Sequence, residues 1–337
     1  MHQLKKLCSI PKESLQILKK GKNLLAFSGG VDSSALFFIL KEHDIPFDMA
    51  TVNYQTRDES DEEESYAKEL AQKFGKKIYI KKVSIPKNNF EHNARETRYQ
   101  FFSEIIKNMG YDNLITAHQL DDKLEWFLMQ LTKGAGLVEL LGFDEIEYRD
   151  NYTLIRPLIE CSKSELLEFL QINKLNYFID KSNYELKYKR NYFRQNFSSS
   201  LIQNYKNGII KSFRYLKNDK DSVFKQKSIT KIKELYIIER YSKESSDIRA
   251  VDSVLKRCGY LLSKAQRDEI LEKKDVVISD SFAIVFSKHF IYISPYIKTK
   301  MDKKFKESCR IKKIPPKIRG YLYDAKIDLS SLDGINL

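Results

Sequence analysis

A chain of 337 residues has room for two domains, each with its own core. Its 42% hydrophobic and 31% charged residues are those of an ordinary globular protein. A membrane span, a signal peptide, a disulfide framework and a zinc site are not expected: no apolar run nears the roughly 18 residues of a span, the basic start MHQLKKLCSIPKES has no apolar core, and Cys8, Cys161, Cys258 and Cys309 form no C-x-x-C pair. A cytoplasmic location fits, and the net charge of +13 points to an acidic partner.

Leu24 to Phe27 is an apolar run that stops at Ser28-Gly29-Gly30-Val31-Asp32-Ser33-Ser34, and Ala35 to Leu40 continues with helical character. The pattern predicts a buried strand, a glycine loop and a helix N-terminus. Two adjacent glycines let the backbone turn sharply, and the new helix adds unpaired N–H groups and the positive end of its dipole. The loop is therefore an anion seat, and phosphate is the usual anion. Ser28, Ser33 and Ser34 add hydroxyls. The segment is neither G-x-x-x-x-G-K-[ST] nor G-x-G-x-x-G, and no lysine stands in it to hold β- and γ-phosphates. It carries Asp32 instead. A carboxylate beside phosphates is repulsive unless a cation bridges them, so Mg²⁺ is expected, with Asp32 as its ligand. An ordinary strand-to-helix turn would also contain SGG, and the rest of the chain decides between the two.

Phe47–Asn53 reads as the second strand, residues 59–74 as a charged helix, residues 76–83 as the third strand and Phe90–Met109 as a long helix. A short strand over 114–117 leads to a helix from about Asp121 to Lys133, stopped by Gly134 and Gly136. Strands alternating with helices predict an α/β fold with a doubly wound parallel sheet, whose ligands sit beyond the carboxyl ends of the strands. The glycine loop, Asn53 and His118 all fall at such ends. After Thr153–Ile155 and a helix over 163–173 comes a polar segment, 180–196. The serines at 198–200 suggest a seam, with a helical connector over 201–217 and a smaller α+β domain over 218–337. There, residues 229–241 and 247–258 look helical, and 276–278, 283–286 and 290–293 look like strands.

Three groups of side chains carry chemistry. His118, Asp122 and Glu125 follow the fourth strand at i, i+4 and i+7, one face of a helix. Together they can hold Mg²⁺, bind an amine or act as a general base; a capped helix start with Asp121 as N-cap would use the same residues. Arg95 and Arg98 share a helix face and suit phosphate oxygens or a substrate carboxylate, although ion pairing with Glu91 or Glu96 would use them as well; Arg190 and Arg194 stand at i and i+4 and suit phosphate oxygens, although a solvated helix face would look the same. Finally, residues 181–240 hold 15 Lys and Arg against 5 Asp and Glu, with Tyr184, Tyr188, Tyr192, Phe193, Tyr205, Phe213 and Tyr215 interleaved. Such a stretch suits an RNA loop with exposed bases, although a solvated lysine-rich surface would have the same composition.

Ser28-Gly29-Gly30-Val31-Asp32-Ser33 resembles S-G-G-x-D-S, the pyrophosphate loop of the PP-loop (N-type ATP-pyrophosphatase, adenine-nucleotide α-hydrolase-like) superfamily. Further motifs tighten the resemblance to the tRNA(Ile)-lysidine synthetase family. These are H-x-x-D-D-x-x-E over His118–Glu125 followed by Thr132-Lys133-Gly134-Ala135-Gly136; Ala94-Arg95-Glu96-Thr97-Arg98-Tyr99; Arg156-Pro157-Leu158; and Asp180-x-Ser182-Asn183 with Tyr188-x-Arg190-Asn191-x-x-Arg194. They stand in the family's order over residues 22–197. One departure is Val52-Asn53-Tyr54-Gln55-Thr56-Arg57, where the family usually has V-D-H-G-L-R: Arg57 is kept, but the His and Gly are not.

The resemblance implies an ATP- and Mg²⁺-dependent reaction on a tRNA(Ile) with a CAU anticodon. The C2 carbonyl oxygen of the wobble cytidine attacks the α-phosphate of ATP, pyrophosphate leaves, and L-lysine displaces AMP to give lysidine. It implies that Ser28, Gly29, Gly30, Val31, Asp32 and Ser33 seat the nucleotide and that Asp32, Arg98, His118, Asp122 and Glu125 are catalytic, with Asp122 taking a proton from the amine or orienting it. Arg95, Arg190 and Arg194 would contact substrate, and residues 218–337 would bind tRNA. A homodimer stays open. The alternatives are another PP-loop tRNA-modifying enzyme such as a thiolase, which needs catalytic cysteines, or a non-catalytic tRNA-binding protein.

Overall fold

A computed structural model of the protein describes residues 8–55, 59–86, 88–179, 189–223, 229–240 and 244–332. The chain divides into two compact units, Met1–Lys220 and Asp221–Leu337.

The first unit is built on a six-stranded sheet. Its strands are β1 (Asn23–Ala26), β2 (Phe47–Asn53), β3 (Ile78–Lys82), β4 (Asn113–Ile115), β5 (Ile146–Tyr148) and β6 (Thr153–Ile155), in the order β3-β2-β1-β4-β6-β5. All neighbours are parallel except β5, which runs antiparallel to β6 at the edge. The sequence pattern gives no sign of β5, because three residues in a hairpin are too short to show a period.

Among the described residues, nine helices belong to this part of the chain: α1 (Lys12–Lys20), α2 (Val31–Glu42), α3 (Glu59–Lys73), α4 (Phe90–Met109), α5 (Leu120–Leu131), α6 (Leu137–Leu141), α7 (Lys163–Ile172), α8 (Lys189–Phe193) and α9 (Ser199–Val223). Both faces of the sheet are covered, so consecutive strand residues enter opposite cores. Leu24, Ala50, Leu114 and Leu154 pack with Phe102, Ile105 and Ile106 of α4. Their chain neighbours Leu25, Met49, Ile115 and Ile155 pack with Phe37 and Leu40 of α2, Leu70 of α3 and Phe169 of α7. This is why the strands read as continuous apolar runs rather than alternating ones. The serines at 198–200 are not a linker. Ser198 is fully buried, and a π-helical turn over Arg194–Ser198 joins α8 to α9, which kinks at Tyr205.

The second unit carries an antiparallel sheet of β7 (Ile229–Ile232), β8 (Leu235–Glu239), β9 (Asp275–Ile278), β10 (Phe282–Phe286) and β11 (Phe290–Pro295), ordered β7-β8-β11-β10-β9. Helices α10 (Glu244–Arg257) and α11 (Lys264–Lys273) cover one face, and α12 (Lys303–Ile311) and α13 (Pro316–Asp324) the other. The helix expected over 229–241 is instead the β7–β8 hairpin, turning at Lys233 with φ +53°. The reason lies in burial on both faces. Leu235 and Ile237 enter one core and Tyr236 and Ile238 the other, so the run is apolar throughout and its period is hidden.

Candidate active site

Three adjacent strands, β1, β4 and β6, end side by side and lead into α2, α5 and α7, so three helix N-termini gather at one edge of the sheet.

After β1 the chain turns at Gly29, where φ is +77°, a conformation that glycine adopts at little cost. A Cβ there would lie 3.5 Å from both Glu63 and Phe178. Phe178 straps the loop down: its N–H donates to the Gly29 carbonyl at 2.9 Å, and it bridges to Gly30. The loop serines divide their work. Ser34 is fully buried and its hydroxyl donates to the Gly29 carbonyl at 3.0 Å; the Ser33 hydroxyl donates to the Gly30 carbonyl at 3.1 Å and accepts from the Ser28 N–H at 3.2 Å. Ser33 and Ser34 thus shape the seat from behind, and Ser28 is the exposed hydroxyl.

Asp32 follows in the first turn of α2. Both of its carboxylate oxygens accept from Lys163 Nζ, at 2.9 Å each. Burial raises its proton affinity, and the Lys163 charge offsets that only in part. Lys163 escapes the motif-based reading. A signal existed in Ser162-Lys163-Ser164-Glu165, a capping box that places Lys163 at the first position of a helix after a strand end.

At the start of α5 the N-cap is Gln119, not Asp121. The Asp121 N–H donates to Gln119 Oε1 and the Gln119 N–H to Asp122 Oδ2 at 3.1 Å, closing a capping box. His118 therefore precedes the helix rather than lying on its face with Asp122 and Glu125. Its Nδ1 is 3.0 Å from Thr116 Oγ1, and its ring packs against Phe143. Burial pulls its pKa down to about 4, so the imidazole is neutral at pH 7. Asp121 accepts from the Lys163 N–H at 2.9 Å, and burial lifts its carboxyl to about 6.

Asp122 and Glu125 do share a face, and it is met by α8 and the turn that follows. Arg190 bonds both carboxylates, reaching Glu125 Oε2 with Nε at 2.8 Å. Arg194 Nε is 2.6 Å from Glu125 Oε1, and its Nη2 is 3.1 Å from Oε2. Burial opposes charge on Asp122, but the Arg190 guanidinium prevails and holds its carboxyl below the usual range. The two arginines expected on substrate are thus the counter-charges of the acids. Arg95 and Arg98 are exposed on α4, Arg95 lying 4.9 Å over the Tyr99 ring.

The departure at residues 53–55 has a structural reading. Asn53 is buried and donates to Asp61 and Glu64 of α3, both at 2.8 Å. The Tyr54 hydroxyl donates to the Ala94 carbonyl at 2.9 Å, tying the strand end to the turn of α4 that bears Arg95 and Arg98. Arg57 and the motif residues Asp180, Ser182, Asn183 and Tyr188 lie outside the described residues.

Much of the positive charge after residue 188 is answered locally. On α9, Lys206 pairs with Glu165, Arg214 with Glu160 and Lys220 with Asp144. Phe193 and Phe213 are core residues, while Tyr192, Tyr205 and Tyr215 are exposed. Among the described residues no three His, Cys, Asp or Glu side chains gather as a metal site. A lone Asp32 fits Mg²⁺ all the same, since that ion is commonly held by one or two carboxylates together with substrate phosphates. No helix among the described residues is long and apolar enough to cross a membrane.

A PP-loop domain family model, ATP_bind_3, matches residues 2–201. The chain is 48% identical over 324 residues to a tRNA(Ile)-lysidine synthase of Campylobacter jejuni, covering 96% of this chain and 99% of that protein. It is 42% identical to the synthase of the same name from Wolinella succinogenes (92% and 95% covered) and 41% identical to that of Helicobacter pylori (93% and 92%). A solved structure, the U34-tRNA thiolase NcsA from Methanococcus maripaludis with its [4Fe-4S] cluster, superposes with a TM-score of 0.50 at 18% identity, covering 62% of this chain and 75% of that one, a likeness of fold alone.

Proposed function

The chain belongs to the tRNA(Ile)-lysidine synthase family of PP-loop enzymes, and from that membership we propose how its own residues carry out the reaction. The enzyme uses ATP and acts on tRNA(Ile). The wobble cytidine of the CAU anticodon, unstacked from its loop, offers its C2 carbonyl oxygen to the α-phosphate of ATP. The bond from that phosphorus to the bridging oxygen breaks, and its electron pair leaves with pyrophosphate. The ε-amine of L-lysine then forms the new C2–N bond and AMP departs.

The observation that carries this reading is the meeting of an anion seat and an acid face on adjacent strand ends: Lys163 joins them, with its Nζ on Asp32 of the glycine loop and its N–H on Asp121 beside Asp122. The backbone N–H groups around Gly29 and Gly30 and the start of α2 face the leaving pyrophosphate. Asp32 is the residue that would hold Mg²⁺, which when bound neutralises phosphate charge. Asp122, whose carboxylate is held by Arg190, takes the proton of the lysine ammonium or orients the free amine for attack. His118, neutral, offers a hydrogen-bond acceptor. Arg98 faces the adenylate and Arg95 the substrate from α4. The second unit binds the body of the tRNA.

Sulfur transfer is disfavoured by the cysteines. Cys161 is buried, and its hydrogen bond with Cys8, together with burial, pushes its thiol above the ordinary range, away from a reactive thiolate.

The test is incorporation of labelled lysine into a tRNA(Ile) with a CAU anticodon, with ATP and Mg²⁺, against a methionine tRNA of the same anticodon. Incorporation into the first alone is the expected result. Pyrophosphate release without incorporation would keep the adenylation and reject lysine as nucleophile.

A further inference from the structure

Residues 61–69 of α3 and residues 175–178 after α7 line a cavity of about 690 Å³, within the ordinary range of small-molecule sites. One wall is apolar and aromatic: Tyr66, Leu175 and Tyr177 are packed on the core of the first unit, and Phe178 meets Tyr66 edge to face at 5.7 Å. The Tyr66 hydroxyl donates to the Asn176 carbonyl at 2.6 Å, which ties α3 to the facing segment and fixes the shape. The charge on the lining is all of one sign, from Asp61, Glu62 and Glu69. Asp61 is answered by Asn53 at 2.8 Å and Lys82 at 3.2 Å. Glu62 and Glu69 are exposed, and among the described residues neither has an ion-pair partner. They stand seven residues apart on one face of α3, about 10 Å along its axis.

We propose that this cavity binds a linear aliphatic polyamine, with its end ammonium groups on Glu62 and Glu69 and its methylenes along Tyr66, Leu175 and Tyr177. The acids are spread along the cavity rather than gathered: among the described residues no three His, Cys, Asp or Glu side chains come close enough to share a metal ion. A cation charged at both ends and apolar in the middle spans them, and its ammonium groups and methylenes both lie well against aromatic rings. L-Lysine brings a carboxylate that one of the two acids would repel. The attraction is local, because the chain as a whole carries +13 and repels cations.

Spermidine binding to the full chain is measured by calorimetry at fixed ionic strength. Spermidine should bind one to one and about tenfold more tightly, or better, than L-lysine or the one-ended n-butylamine, and Mg²⁺ at equal concentration should not displace it. Glu62→Gln combined with Glu69→Gln should weaken spermidine about tenfold. Tyr177→Leu, which keeps an apolar wall without the ring face, should weaken it about threefold. The matched pair Glu104→Gln with Glu168→Gln, on exposed acids elsewhere, should leave the affinity within about twofold of the parent. No binding by the parent, n-butylamine as tight as spermidine, or displacement by Mg²⁺ would overturn the proposal. The same loss in both pairs of variants would overturn it in favour of a response to net charge, and L-lysine as tight as spermidine would overturn it in favour of the amino acid. The handling of ATP by the glycine loop plays no part in this binding, so failure here leaves the lysine-incorporation test untouched, and the reverse.

Discussion

Arg194 grips Glu125 with two nitrogens, Nε at 2.6 Å from Oε1 and Nη2 at 3.1 Å from Oε2, and the Glu125 side chain has no exposed surface. With Arg190 on the same carboxylate, the pairing fastens the segment after residue 188 to α5, on the strip that carries Asp122. Removing one partner of a buried pair leaves the others charged and unmatched. Glu125→Ala should therefore lower stability by about 2 to 4 kcal/mol, with Glu125→Gln costing less because its amide oxygen still accepts. Urea unfolding followed by circular dichroism measures both, and an unchanged midpoint for Glu125→Ala would contradict the role.

Asp122 belongs to the same network, and its proposed role in the reaction can be tested directly. Asp122→Asn keeps the shape and leaves Arg190 its bond to Glu125. Lysine incorporation should fall by a factor on the order of 10² to 10⁴ while tRNA affinity in a filter-binding assay stays within a few-fold. Near-full turnover would remove Asp122 from the reaction.

His118 predicts a pH dependence with a definite sign. Its folded pKa, about 4, lies below the ordinary 6.5, so the folded protein binds this proton less readily than the unfolded chain. The stability it contributes is complete above pH 6.5 and is lost as pH falls towards 4. Asp121 acts in the opposite sense. Raised to about 6, its contribution is present at low pH and is lost as pH rises through 6. The clean comparison is therefore between the parent and His118→Gln. From pH 7 to pH 5 the parent should lose about 2 kcal/mol more than the variant in urea titrations. Parallel losses would mean that His118 titrates normally.

The outer side of α9 offers exposed Lys211 and Tyr215, while Arg214 between them is committed to Glu160 at 2.7 and 2.5 Å. Lys211→Glu should weaken tRNA binding and reduce the slope of log affinity against log salt by about 1. Tyr215→Ala should weaken binding by about 1 to 3 kcal/mol with the slope unchanged, because stacking on a base carries no counterion release. Arg214→Ala should act mainly on stability, by under about 1 kcal/mol. A flat salt profile for the parent would take α9 off the RNA surface.

The sequence by itself determined the nucleotide-binding half of this protein. Ser28 to Ser34, the short apolar strands and the spacing of Asp122 and Glu125 are local patterns, whereas His118 was expected on their helix face and precedes the helix instead. A glycine loop between a buried run and a helix has few other conformations available, and strand ends in a parallel sheet must converge. The hairpin at residues 229–239 was not legible, because a strand buried on both faces loses the alternation that distinguishes it from a helix. Only the tertiary structure decided which charges meet. Lys163 with Asp32, and Arg190 and Arg194 with Asp122 and Glu125, are separated by 131, 68, 65 and 69 residues in the pairings that matter. No spacing rule reaches that far, since an ion pair across the fold depends on how α7 and α8 pack, and packing is set by the apolar faces of those helices rather than by the charged residues they carry.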